Sequence, residues 1–409
     1  MTDAFDAILA KAQKKYNLAV GPLSEIAQDA TFITTGNIAL DYIIGGGLPL
    51  GRSVELAGPP SSGKSTTGLQ TAAALQKVII AGGDPAKGIK ADDKILYFDY
   101  EQTIDPSYAK KLGLDVDHES FLLTQPDNLE DGANLAVELI GTGRVRLVIW
   151  DSVASMMPSA KSEAEIGKSL PAVQAKLMSD LGQKLNPLLY EHQTLNIWIN
   201  HLKEVMAMGR PAHLGPLKTT PGGTALKFYA SVRVEFKQVG QIKEKILDPL
   251  TNEEIETPGA TNVEVKVTKN KVAPPFRKAV VRVRFGKGFD NFWSALQVLV
   301  ASKEIMYSAG YYYFHKVESI GLAPEWMERA KSGTQRPNIR TDAALFKAAD
   351  DHPEWRELFI EHARKVLGDN VLSLSSRTPD EIEDEEAISA EIDSLVPAST
   401  DGNRVGFGQ

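Results

Sequence analysis

Gly58-Pro59-Pro60-Ser61-Ser62-Gly63-Lys64-Ser65 is the stretch that decides the fold. It fits the pattern of Gly, four residues, then Gly-Lys-Ser or Thr. The apolar segment before it, Ser53–Ala57, reads as a strand, and the segment it opens, Lys64–Gln76, reads as a helix. Strand, glycine-bounded loop and helix in that order make a phosphate cradle. The glycines let backbone N–H groups wrap an anion, and the helix N-terminus adds partial positive charge. Gly58 to Thr66 is therefore the expected phosphate-binding set, with Lys64 on the terminal phosphates and the Ser65 hydroxyl on Mg²⁺. A Gly/Ser-rich connector would need neither that spacing nor that context.

Working outward, Arg146-Leu-Val-Ile-Trp-Asp151 is a buried strand ending in an acid, suited to hold a metal-bound water beside such a loop. Asp99-Tyr-Glu101 ends another strand. Glu101 is placed either to polarise an attacking water, a task for a carboxylate near but not on the metal, or simply as a solvated loop acid. Local sequence leaves those two readings open. Further strands are expected at Ile95–Asp99, Leu195–Asn200 and Ser231–Gln238, then at Asn262–Lys269 and Ala279–Phe285 after a turn-rich insert, Asp248–Glu254. Strands alternating with amphipathic helices predict an α/β fold, a mostly parallel sheet flanked by helices.

The composition sets limits. The 409 residues include no cysteine, which excludes disulfides, thiolate zinc and thiol catalysis. No apolar run approaches the ~20 residues of a membrane span. The net charge of −8 argues at first against nucleic acid, but the charges are uneven. Arg377 to Gln409 holds nine acidic and two basic residues, whereas Glu264 to Lys287 holds eight basic residues and one acid. A near-neutral body with a basic segment and an acidic tail leaves nucleic acid open as a partner. Four regions are expected: an N-terminal helix and packing segment (1–31), the core (32–290), a small α+β region (291–373) and a disordered acidic tail (374–409). The tail is read either as a solubiliser or as a competitor with DNA for the basic groups.

Several ordered motifs carry a specific likeness. Thr35-Gly-Asn-Ile-Ala-Leu-Asp41, Gly46-Gly-Leu-Pro-Leu-Gly51-Arg52, the phosphate loop and Ile104-Asp-Pro-Ser-Tyr108 come first. Asp151-Ser-Val-Ala-Ser155, Gly222-Gly-Thr-Ala-Leu-Lys-Phe-Tyr-Ala230 and Val267-Thr-Lys-Asn-Lys-Val-Ala-Pro-Pro-Phe276 follow. Together they resemble the RecA recombinase family from about residue 30 to 315. The resemblance implies a P-loop ATPase core with two DNA-binding loops, an N-terminal packing helix and a small C-terminal domain. It also implies a DNA-dependent ATPase using ATP and Mg²⁺, which forms a helical homo-oligomeric filament on single-stranded DNA, pairs it with homologous duplex and exchanges strands. Recombination, repair and the SOS response are the implied settings, in a bacterial cytoplasm or an infected host cell, with loader, mediator and single-strand-binding proteins as expected partners.

Residue by residue, the likeness makes Glu101 the catalytic glutamate. It adds Asp105, Tyr108 and Phe285 to Asp151 and the phosphate loop as nucleotide-binding residues. Lys269 and Lys271 become the lysines that reach a neighbour's γ-phosphate, and Phe228 a position that couples protomers. Residues 161–172 match the first DNA loop, with Lys168 and Lys176 as basic contacts. Residues 201–223 match the second, with Lys203, Arg210, Lys218, Gly222 and Gly223 at the DNA. His201 stands where the family usually has a Gln that senses the γ-phosphate, as it does in some phage recombinases. With the insertions 81–92 and 319–342 and Pro171 in the first loop, this points to a divergent, phage-like member. A replicative helicase on the same core and a non-catalytic ATP-switched filament protein are the rival readings.

Overall fold

Leu147-Val148-Ile149-Trp150 is apolar at every position, the pattern of a strand covered on both faces. The computed structural model describes residues 4–16, 30–162, 171–205, 217–247, 254–308, 311–314, 338–340 and 342–374. The chain divides into two units, 1–31 and 32–409. The first contains helix α1 (Ala4–Tyr16), on which Phe5 and Ile8 are exposed.

The second unit begins with α2 (Ile38–Ile44), β1 (Ser53–Gly58), α3 (Lys64–Ile80), β2 (Lys94–Asp99), α4 (Pro106–Lys111) and β3 (Phe121–Thr124). It continues with α5 (Leu129–Gly141), β4 (Val145–Asp151), α6 (Pro171–His192), β5 (Leu195–His201), α7 (Ala225–Tyr229) and β6 (Val232–Leu247). Then come β7 (Glu254–Asn270), β8 (Lys278–Arg284), β9 (Gly288–Phe289), α8 (Asn291–Ala301), α9 (Asp342–Asp351) and α10 (Glu354–Leu374). Among the described residues the main sheet has nine strands in the order β9-β8-β7-β6-β1-β5-β4-β2-β3. The six from β6 to β3 are parallel, and β7, β8 and β9 extend them antiparallel. This is the mostly parallel α/β sheet that the alternating pattern predicts.

Each face has its own core. Val54, Leu56, Ile149, Ile197 and Ile199 meet Leu69, Ala72 and Leu75 of α3 on one side. On the other, Phe98, Trp150 and Trp198 stack across three strands, with ring centroids 4.3 and 4.9 Å apart, under Leu181 and Leu185 of α6. Trp150 Nε1 donates to Asn196 Oδ1 at 2.7 Å, so the buried indole keeps a partner.

Three segments differ from the sequence-based expectation. β6 and β7 are longer than expected, because cross-strand pairs such as Ile246–Ile255 and Lys243–Glu256 carry the hairpin well past the end of β1; residues 248–253 of the expected turn-rich insert lie outside the described residues. The 81–92 insertion folds as a small hairpin, Gly83–Asp84 against Ile89–Lys90, and anchors Ile89 in the core. β3 is an edge strand of only four residues, too short to stand out by periodicity.

The C-terminal elements build a separate cluster around Phe292, Leu296, Trp355 and Phe359, joined by Ile38 of α2. The acidic tail from 375 and most of the 319–342 insertion lie outside the described residues.

Candidate functional site

Parallel strands bring their C-terminal ends, and the loops that follow, to one edge of a sheet. Here Gly58 of β1 lies in register with His201 of β5, and Asp99 of β2 with Asp151 of β4. That edge gathers the phosphate loop, Glu101, Asp151 and His201, residues spread over some 140 positions of sequence.

The loop is shaped by its glycines. A Cβ on Gly58 would sit 2.8 Å from Phe236, and Gly63, at φ 92°, holds the left-handed turn that starts α3 without a side-chain cap. The first N–H groups of α3 are thus left for an anion. Lys64 is 5% exposed, and its Nζ donates to Pro59 O at 2.7 Å, as does Ser62 Oγ at 2.8 Å. Burial lowers the Lys64 ammonium to about 8, partly offset by the charges of Asp151 and Glu101. A buried cation with few protein partners, open helix N–H groups and a tight glycine turn fit a polyphosphate. Gln238 of the long hairpin donates to Pro60 O and Ser61 O at 3.2 and 3.0 Å and braces the outer rim.

Asp151 is buried and its carboxyl is pushed up by that burial, against hydrogen bonds from Tyr97 and Ser65, with Glu101 and Asp99 adding to the rise. Tyr97 OH donates to Asp151 Oδ2 at 2.7 Å. The Ser65 hydroxyl and the Asp151 carboxylate thus stand side by side. Among the described residues no group of three or more His, Cys, Asp or Glu side chains is placed to hold a metal. One hydroxyl and one carboxylate suit Mg²⁺, which keeps waters and takes its other oxygens from phosphate.

Glu101 is half-buried. Burial alone would raise its carboxyl, but hydrogen bonds from Ser152 and His201 and the charges of His201 and Lys64 outweigh it and hold the carboxyl below its ordinary value. His201 Nε2 lies 3.0 Å from Glu101 Oε1. An ionised carboxylate only accepts, so this bond requires the proton on Nε2. The loop carrying Glu101 is itself held: Asp99 accepts from Thr103 N and Ile104 N at 3.3 Å and from Gln125 Nε2 at 3.1 Å.

The remaining nucleotide candidates sit around this edge. Asp105 is exposed and caps α4, accepting from Ser107 N at 2.8 Å, the helix-start role that its position also allowed. Tyr108 packs on the α3 core, and its OH lies 2.9 Å from Thr66 Oγ1, in the first turn of the helix that the phosphate loop opens. Phe285 is exposed in the turn after β8.

Lys269 and Lys271 are elsewhere. Lys269 pairs with Arg233 and Arg233 with Glu55, while the Lys271 N–H donates to Ser231 O at 3.0 Å. Lys269 is thus level with the middle of β1 and Lys271 with its start. Lys269 also shares the face of Trp198, opposite to the face that α3 covers. Its Nζ donates to Lys227 O and Phe228 O at 2.7 and 3.0 Å, closing the C-terminus of α7, from which Phe228 projects 72% exposed.

Of the DNA candidates, Lys176 is exposed on α6. Lys168 and Arg210 lie outside the described residues. In the second loop, Lys203–Val205 pairs antiparallel with Leu217–Thr219, so Lys203 and Lys218 stand on a two-stranded neck. Gly222 and Gly223 hold positive φ where they close on Val153 and Ala175 of their own chain. Tyr97, Ser152, Asn200, Gln238 and the buried pair Glu55–Arg233 were not singled out from sequence. For Glu55 the signal was there, a lone charge inside an apolar strand, but Arg233 alternates with other charges along its strand and nothing local says that the two meet.

The RecA N-terminal domain family matches residues 3–290. The chain is 36% identical over 387 residues to "Protein RecA" of Lactobacillus acidophilus, covering 93% of both chains. It is 34% identical to that of Lactobacillus delbrueckii subsp. bulgaricus over 94% of this chain and 92% of the relative. To that of Streptococcus pneumoniae it is 39% identical over 299 residues, 73% of this chain and 70% of the relative. With a phosphate loop, two acids and a histidine at one sheet edge, and with these matches over most of its length, the chain belongs to the RecA family.

Proposed function

We propose that the chain is a DNA-dependent ATPase that polymerises as a helical filament on single-stranded DNA, pairs it with homologous duplex and promotes strand exchange. Neither the helicase reading nor that of a non-catalytic filament protein is favoured by relatives that share both the name RecA and most of the length. ATP supplies the transferable γ-phosphoryl group, and Mg²⁺ neutralises charge on its oxygens.

The protein's own groups do the rest. Lys64 and the first N–H groups of α3 hold the phosphates, Ser65 and Asp151 hold the ion, and Tyr97 orients Asp151. Glu101, kept ionised, orients a water and accepts its proton. His201 holds Glu101 through Nε2 until a terminal phosphate competes for that proton, which makes it the sensor. Tyr108, Asp105 and Phe285 flank the base. Lys168, Lys176, Lys203, Arg210 and Lys218 neutralise DNA phosphates. The elements of 291–373 act as the smaller C-terminal domain, and loader, mediator and single-strand-binding proteins meet the filament in a cytoplasm.

The observation that carries the filament is the placement of Lys269. It lies about 10 Å along the strand from the level of Gly58, two strand spacings (about 10 Å) across the sheet, and on the other face from α3. That placement, away from the phosphate loop of its own protomer, supports a γ-phosphate contact made in the next one. Strand exchange tests the whole reading. Homologous single-stranded circles and linear duplex should give joint molecules with ATP and Mg²⁺, and heterologous duplex should give none. ATP-driven unwinding by closed rings, without joint molecules, would establish the helicase instead.

A further inference from the structure

Between the phosphate edge and the lysine edge of the sheet lies a buried polar chain that neither site uses. Glu55, in the middle of β1, is fully buried. Its Oε2 pairs with Arg233 Nε at 2.5 Å, and its Oε1 accepts from Asn200 Nδ2 at 2.9 Å. Asn200 is fully buried too, and its amide touches both ends of the second loop. Oδ1 accepts from the N–H of His201 at 2.9 Å, where the loop leaves β5, and Nδ2 donates to Pro221 O at 3.1 Å, where it returns.

A side chain bonded to both ends of a segment closes its neck. Lys203–Val205 pairs with Leu217–Thr219 just beyond these bonds, so the Asn200 amide fastens the base of that two-stranded neck. The far end of the chain is equally specific. Arg233 stands beside Lys269 in register, and Lys269 holds the last carbonyls of α7, the helix that follows the loop. The near end is His201 on Glu101. Glu55 contacts no residue of the phosphate loop in this set of bonds, so it has no direct part in the chemistry.

We infer that Glu55 is a positioning residue: through Asn200 it sets the neck of the second DNA loop and the placement of His201 against Glu101, so that hydrolysis responds to DNA. The inference rests on the reading of residues 201–223 as a DNA loop and of Glu101 as the catalytic glutamate. Its physical basis is the two-sided demand on a buried carboxylate. Arg233 needs the negative charge, and Asn200 needs an acceptor; only an ionised Glu at this point meets both.

Glu55→Gln keeps the size and removes the charge. The hydrolysis rate is to be measured with and without single-stranded DNA, at saturating ATP, on protein whose melting temperature shows that it has folded. The expected result is a DNA-stimulated kcat at least about tenfold below wild type, with the DNA-independent rate and the KM for ATP within about twofold. Hydrogen exchange at residues 217–222 should be faster in the variant. A stability defect alone would lower both rates together. If Glu55→Gln does not fold, Arg233→Lys, which keeps the charge but loses the Nε contact, carries the same expectation. Wild-type protein that is stimulated by DNA, with a variant stimulated equally, overturns the inference alone. Wild-type protein that DNA does not stimulate overturns the underlying reading, and the inference with it.

Discussion

The two edges of the sheet are built on opposite terms. At the strand-end edge, the phosphate loop, Ser65, Asp151, Glu101 and His201 stand within one protomer, oriented by bonds from Tyr97, Ser152 and Gln238. On the strand-start side, Lys269 is occupied with the carbonyls of α7 and Lys271 is exposed. The first edge gathers groups that meet within one chain; the second presents charge turned away from them. On the proposed reading, hydrolysis is a property of an interface between copies, and Lys269 exchanges its carbonyl partners for a neighbour's phosphate.

The sharpest way to break this comparison is to disable the two edges on separate molecules. Lys269→Ala with Lys271→Ala should reduce DNA-stimulated hydrolysis by about 10³-fold or more, as loss of a charge supplied in trans does. Mixing that protein one to one with Glu101→Gln should restore turnover at about a quarter of the interfaces, those that pair intact lysines with an intact glutamate. Turnover that stays at the sum of the two separate proteins would refute the trans arrangement.

Glu101→Gln alone should lower kcat by about 10²- to 10⁴-fold while ATP-dependent DNA binding persists, since the amide keeps the shape but cannot take a proton. A filter-binding assay beside the rate measurement separates the two. Unchanged hydrolysis would remove Glu101 from its role.

The smallest effect belongs to pH. Burial lowers Lys64 to about 8, so the free protein loses that proton above pH 8, whereas bound phosphates hold it on. ATP affinity should be level below pH 8 and weaken by up to about tenfold per pH unit above it. Stability of the nucleotide-free protein should move the other way. The unfolded chain binds the extra proton between 8 and its ordinary 10.5, so the folded form gains over that window. Lys64→Arg, titrating far higher, should flatten the affinity slope; calorimetry from pH 7 to 9.5 checks it.

Much of the phosphate edge was legible because its chemistry is local. The glycine spacing of residues 58–65 and the acid ending the run Arg146–Asp151 are contiguous signals, and the strand–loop–helix context confirmed them. Glu101 was ambiguous as a string of letters, and contacts from Ser152 and His201, 51 and 100 residues away, define its surroundings. The hairpin of β6 and β7 was underestimated because polar, exposed strand residues lose the apolar alternation on which strand assignment depends. Gly222 and Gly223 carry a second demand that no local pattern shows, a close approach to Val153 and Ala175.

The sequence by itself determined the phosphate loop, the parallel sheet and the family motifs, since each rests on spacing within a few residues or on period along one element. Only the tertiary structure decided which charges meet. Glu55 and Arg233 are 178 positions apart; Glu55 reads as an isolated charge in an apolar strand and Arg233 as one of several alternating charges along its own. The same is true of the lysines. That Lys269 ends on the other face from the helix of its own phosphate loop, with Lys271 just beyond it, follows from an antiparallel strand added beside a parallel sheet, a property of strand order that no local pattern carries.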